Sequence, residues 1–193
     1  MGEETQSAKL AKIAGRTPAE VGRRAELSPE ALPLLEAARE PESFLRALLE
    51  REYWADAVKF LAHALPKREA VWWGILAVRS QLGEPPSPEA TAILAASERW
   101  VRQPTDEHRR AAMELAEPHL GDPASLVGVA AFMSGDSLAP VGVEPVPPPE
   151  HLTGTMVANA VILSAVGGDP VAAPARYRGF LAKGLEIAKG PAR

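Results

Sequence analysis

Helix-start signals recur along this chain, and they limit its fold more than any other feature. Thr17-Pro18-Ala19-Glu20 has a side-chain acceptor, a proline for the first helical position and a glutamate at the third. Ser28-Pro29-Glu30 and Ser87-Pro88-Glu89 repeat the pattern, and Thr105-Asp106-Glu107 gives it without proline. Each satisfies backbone N–H groups that a helix leaves unpaired at its start. A chain that restarts helices this often is expected to be a series of short helices: 30–39, 87–103, 105–120 and others between. Composition agrees, because alanine and leucine outweigh the β-branched residues that favour strands.

The middle of the chain is read from apolar spacing. Phe44, Leu45, Leu48 and Leu49 form one helical stripe. Trp54, Ala57, Val58, Leu61 and Leu65 form a second, which Pro66 ends. A helix over 69–82 follows so closely that the two are expected to lie antiparallel as a hairpin. Residues 124–133 and 153–166 are apolar with almost no charge, so the first of these is expected at the centre of the molecule. Residues 176–189 are amphipathic. Between them, residues 140–149 hold five prolines and must be extended, a strap over the helices or a docking peptide. The expectation is an all-α, irregular orthogonal bundle of about eight to nine short helices. Its parts are a flexible segment 1–16, a helical core 17–139, the strap 140–151, and helices over 152–190 that complete the same domain.

Charge is unevenly spread. Residues 111–175 contain seven acids and no lysine or arginine, whereas 176–193 carry five cations and one acid. So long a stretch without a cation would repel phosphate, which argues against nucleic-acid binding. The chain has no cysteine, which excludes disulfides and thiolate metal sites. Its first residues are acidic and polar, unlike a secretory signal, and its longest apolar run is too short to cross a bilayer. A cytoplasmic protein without membrane insertion is expected.

No catalytic constellation stands out. Gly135-Asp136-Ser137-Leu138 spells the nucleophile block of the hydrolase family named for those letters. In that family the serine follows an early strand and works with a downstream Asp-x-x-His. Here it follows a helix, and no aspartate stands three residues before His151. A serine without a base is a poor nucleophile, so a turn held by Asp136 and Ser137 is the simpler reading. His63, His108, His119 and His151 form no paired spacing, and no metal or cofactor site is expected. His63 is expected to be packed and hydrogen-bonded, and Trp54 and Trp100 to be core.

Trp72-Trp73 carries more information. Adjacent helical residues point about 100° apart, so both rings cannot fill one narrow face. Either this helix is buried on two sides or one indole stays at the surface, where tryptophan is enriched at partner sites. Under the second reading Trp72 is the core ring and Trp73 the exposed one. The candidate partner surface is then Trp73 with Lys67, Arg68, Pro147, Pro148 and Pro149.

The run Phe60-Leu-Ala-His-Ala-Leu-Pro-Lys-Arg-Glu-Ala-Val-Trp-Trp73 resembles the signature of an uncharacterised bacterial family of small helical proteins. Ser43-Phe44-Leu45, Glu98-x-Trp100-Val101, Ser134–Leu138 and Val146–Gly154 extend the resemblance over most of 28–190. It brings no catalytic residues. An association of that family with type VI secretion loci implies an adaptor or chaperone-like accessory with a protein partner, a secretion component or effector. A serine esterase using Ser137 and a structural homo-oligomer are the alternatives.

Overall fold

The computed structural model describes residues 10–13 and 15–190. They form ten α-helices: α1 (Pro18–Gly22), α2 (Leu32–Ala37), α3 (Pro41–Glu50), α4 (Trp54–Ala64), α5 (Lys67–Arg79), α6 (Pro88–Arg102), α7 (Asp106–Ala116), α8 (Pro123–Met133), α9 (Leu152–Val166) and α10 (Ala173–Lys189). Short 3-10 turns follow α7 and precede α10, and no strand occurs among the described residues. Eight of the ten helices are ten residues or longer.

The start signals act largely as their chemistry requires. Thr17 accepts from the Glu20 N–H while Glu20 bonds back to the Thr17 N–H, and Ser87 and Thr105 cap α6 and α7. Ser28 departs from the pattern. Its N–H and hydroxyl both donate to the Asp56 carboxylate at 2.8 Å, so its oxygen starts no helix. It ties the α1–α2 connection to α4, and α2 begins later, at Leu32. Pro118 closes α7 into the 3-10 turn 117–119, four residues before the expected end.

Helices α8 and α9 form the centre. The first packs on α5, α6, α7 and α9, the second on α4, α5, α8 and α10. Their buried residues circle the axis, as a helix enclosed on most sides requires. Helices α4 and α5 do not form the expected hairpin; both pack most on α9, α4 next on α3 and α5 next on α6 and α8. Leu65 and Pro66, with ψ of 148° and 146°, make an extended corner that sends α5 away from α4.

Helix α5 is buried on more than one side, between α6, α8, α9 and α10. Trp73 is 0% exposed and its indole N–H donates to the Phe180 carbonyl of α10 at 2.8 Å. Helix α10 comes this close because position 184 is glycine. A Cβ there would lie 2.7 Å from Leu61 and 2.8 Å from the Trp73 ring. Trp100 is buried, but Trp54 is only partly so, with the Arg178 guanidinium 5.8 Å from its ring centroid. Leu10 and Ile13 are buried, and Lys12 binds the Ala188 carbonyl through its N–H and Glu69 through its ammonium. Among the described residues the chain is therefore anchored at Leu10, Lys12 and Ile13; residues 1–9 and 14 of the expected flexible segment lie outside the described residues.

Candidate functional site

The strap between α8 and α9 is held from below by two neighbouring arginines on α7. Arg109, 3% exposed, donates to the Phe132 carbonyl at 3.2 Å and the Ser137 carbonyl at 2.6 Å, and pairs with Asp106. Arg110 donates to the Ala139 carbonyl and to Asp106, both at 2.6 Å. Both guanidiniums lie over the Phe132 ring. The Arg109 side chain crosses Gly135 so closely that any Cβ there would overlap it. These two arginines hold Asp106 well below the usual carboxylate range, Arg110 most strongly through its hydrogen bond.

Ser137 closes the strap from within. Its hydroxyl oxygen accepts from the Ala139 N–H at 3.1 Å and the Val146 N–H at 3.0 Å, and the Leu138 N–H donates to the Val146 carbonyl at 2.7 Å. The segment 138–146 is thereby a closed loop. The Ser137 oxygen thus serves the backbone, and no histidine bonds it among the described residues. Outside this frame the loop is open to solvent: Val141, Val143 and Val146 are 82%, 59% and 54% exposed.

The expected partner surface is brought together only in part. Trp73 is buried, which reverses the assignment of the two indoles: Trp73 fills the core and Trp72 lies partly at the surface. The reason is the two-sided burial of α5, together with a buried carbonyl acceptor that only the Trp73 ring reaches. Arg68 is exposed but faces the end of α6, donating to the Val101 and Arg102 carbonyls. It is a helix-end ligand rather than a free cation. Pro147 and Pro149 are exposed, and Pro148 half-buried. Lys67 meets the end of the strap in a small cleft of about 50 Å³ shared with Arg16, Arg24, His63, Glu150 and Thr153. Glu150 pairs with Arg24 at 2.8 Å.

His63 lies in that cleft against Gly154. It is packed as expected, but no hydrogen bond reaches it among the described residues. Burial, reinforced by His151 and Arg24, pushes its pKa down to about 4, so it is neutral at physiological pH. No group of three or more His, Asp or Glu that could hold a metal occurs among the described residues.

A larger cleft of about 620 Å³ opens on another part of the surface, where the ends of α5 and α9 meet the starts of α6 and α8. Sequence reasoning missed it because its walls come from four separated segments. The only available signal was α9, whose apolar character runs all round the helix although Leu163 and Val166 are 41% and 47% exposed.

Fold and surface together define an all-α protein with a helical core, an anchored external loop and a side cleft. The chain belongs to the family of unknown function DUF6931, which matches residues 44–188. No curated protein and no solved structure matches it. No helix among the described residues is long and apolar enough to cross a membrane.

Proposed function

We propose that this protein is a non-catalytic interaction module that presents the strap to a protein partner. Its role would be that of a cytoplasmic adaptor or chaperone-like accessory, and the resemblance noted above suggests a bacterial secretion system as the setting. The reading rests on one observation: three valines on the strap are more than half exposed although the loop carrying them is pinned by Arg109, Arg110 and Ser137. Apolar residues gain nothing from standing in water. A preformed extended loop, however, loses little conformational freedom when a partner covers it.

The test is affinity capture from native-host lysate with wild type beside a Val141→Asp/Val143→Asp variant, read by mass spectrometry. A defined partner retained by the wild type and lost by the variant, at equal melting temperature, is the expected result. Identical captures would remove the strap as the binding surface. Ester hydrolysis by wild type and Ser137→Ala is expected to be equal; activity lost with the hydroxyl would establish an enzyme instead.

A further inference from the structure

The larger cleft has its own chemistry. Val78, Leu82, Ile93 and Leu163 give it apolar walls, and Glu89 and Asp122 stand at its edge. The segments that line it, 78–93, 117–124 and 163–176, carry Glu84, Glu89, Glu117, Asp122 and Asp169, all exposed, against His119, Arg79, which pairs with Glu98, and one further cation, Arg176. That cation is already engaged: its guanidinium donates to the Ala165 and Gly167 carbonyls at the end of α9. Ser87 donates to Glu89 and holds its carboxyl low, so the charge there is fixed. The carboxylate of Asp122 has no partner among the described residues. The carbonyl end of α5 adds negative potential, whereas that of α9 is met by Arg176, and Glu89 and Asp122 stand at the N-terminal ends of α6 and α8.

Apolar residues continue past the cleft. Leu163, 41% exposed, lines it, and Leu120, Val166 and Val171, 63%, 47% and 86% exposed, lie in the stretches of chain between its lining residues. They account for four of the nine exposed large hydrophobic residues among the described residues; three more are the strap valines. A small amine would fill the cleft yet leave much of this rim in water. An occupant that covers both must be a chain with apolar side chains and positive charge.

We infer that this cleft is a second docking surface, separate from the strap, and that it takes a basic amphipathic segment of a partner polypeptide. Apolar side chains of the segment enter between α5, α6 and α9, and its lysines or arginines meet Glu89, Asp122 and the neighbouring acids. With two such surfaces the molecule can hold two partners at once.

The experiment uses the full chain, isotope-labelled, titrated with a synthetic peptide of about four helical turns, leucine on one face and lysine on the other. A second peptide has glutamate in place of lysine. The amides of Gly83, Gly167 and Gly168 report on the cleft, and those of Gly135 and Gly142 report on the strap. The lysine peptide is expected to shift the cleft glycines and leave the strap glycines in place. The glutamate peptide is expected to bind at least about tenfold more weakly. Glu89→Gln/Asp122→Asn should weaken the lysine peptide roughly fivefold at an unchanged melting temperature. Leu163→Arg, an exposed site that tolerates charge, should weaken it as well. Equal binding of both peptides, shifts at the strap glycines alone, no binding at all, or a double variant with unaltered affinity would each overturn the assignment. Because the strap valines are untouched in these proteins, failure here leaves the strap reading standing, and the reverse holds too.

Discussion

The Trp73 region and the strap are both fixed in place, but by opposite means. Around Trp73 the chain is held by exclusion of water: α5 is enclosed by four helices, Gly184 lets α10 close in, and one buried hydrogen bond orients the indole. At the strap almost nothing apolar is buried. Two guanidiniums and one hydroxyl hold five backbone groups, and the valines point into solvent. Packing of the first kind scales with area and is cut sharply by a single truncation. Tethering of the second kind is polar and local, so it can be undone without unfolding the molecule. The difference separates the part that maintains the fold from the part we propose is offered to a partner.

The largest break in that comparison should come from Trp73→Ala. Loss of a fully buried indole and its hydrogen bond is expected to cost about 3–5 kcal/mol, or roughly 10 °C or more in melting temperature for a chain of this length. Trp72→Ala should cost less than half as much. Calorimetry on both variants checks the reversal of roles, and equal losses would mean that α5 is not buried as described. Arg109→Met comes next, at about 2–3 kcal/mol. It removes charged donors from two carbonyls while keeping an apolar stem over Phe132. Its signature is a strap cleaved faster by protease at a temperature where the core stays folded; cleavage at the wild-type rate would show that the arginine does not hold the loop.

A smaller effect at neutral pH concerns His63, below the end of the strap. Its pKa is about 4 in the fold against 6.5 for the free side chain, so the unfolded chain binds the proton more tightly. The stability linked to neutral His63 is fully present above pH 6.5 and is lost as pH falls from 6.5 towards 4. His63→Phe keeps a ring against Gly154 and should flatten denaturant midpoints over that window. A variant with the wild-type slope would assign the pH dependence to other groups.

Much of this fold was legible because its signals are local. Caps at Thr17, Ser87 and Thr105 and the stops at Pro66 and Gly167 need only neighbouring residues to act, and they placed most helices within a few positions. What escaped depends on partners distant in sequence. Ser28 looks like a cap until Asp56 takes its donors. Trp72 and Trp73 cannot be ranked without Phe180, and Arg68 resembles a free cation until the end of α6 is placed beside it. The strap was visible from its prolines, whereas its anchors on α7 lie some thirty residues upstream with no local trace. The side cleft is the extreme case, assembled from four segments none of which is unusual alone.

The most direct test of the account is residue-resolved amide exchange on wild type and Ser137→Ala. In wild type, Leu138, Ala139 and Val146 should exchange measurably more slowly than Val141 and Glu144, which stand free in the same loop. Ser137→Ala should release Ala139 and Val146 while the amides of α5 keep their protection. If all loop amides exchange alike in wild type, or if losing the hydroxyl changes nothing at Ala139 and Val146, the strap is not a preformed surface and the account fails at its centre.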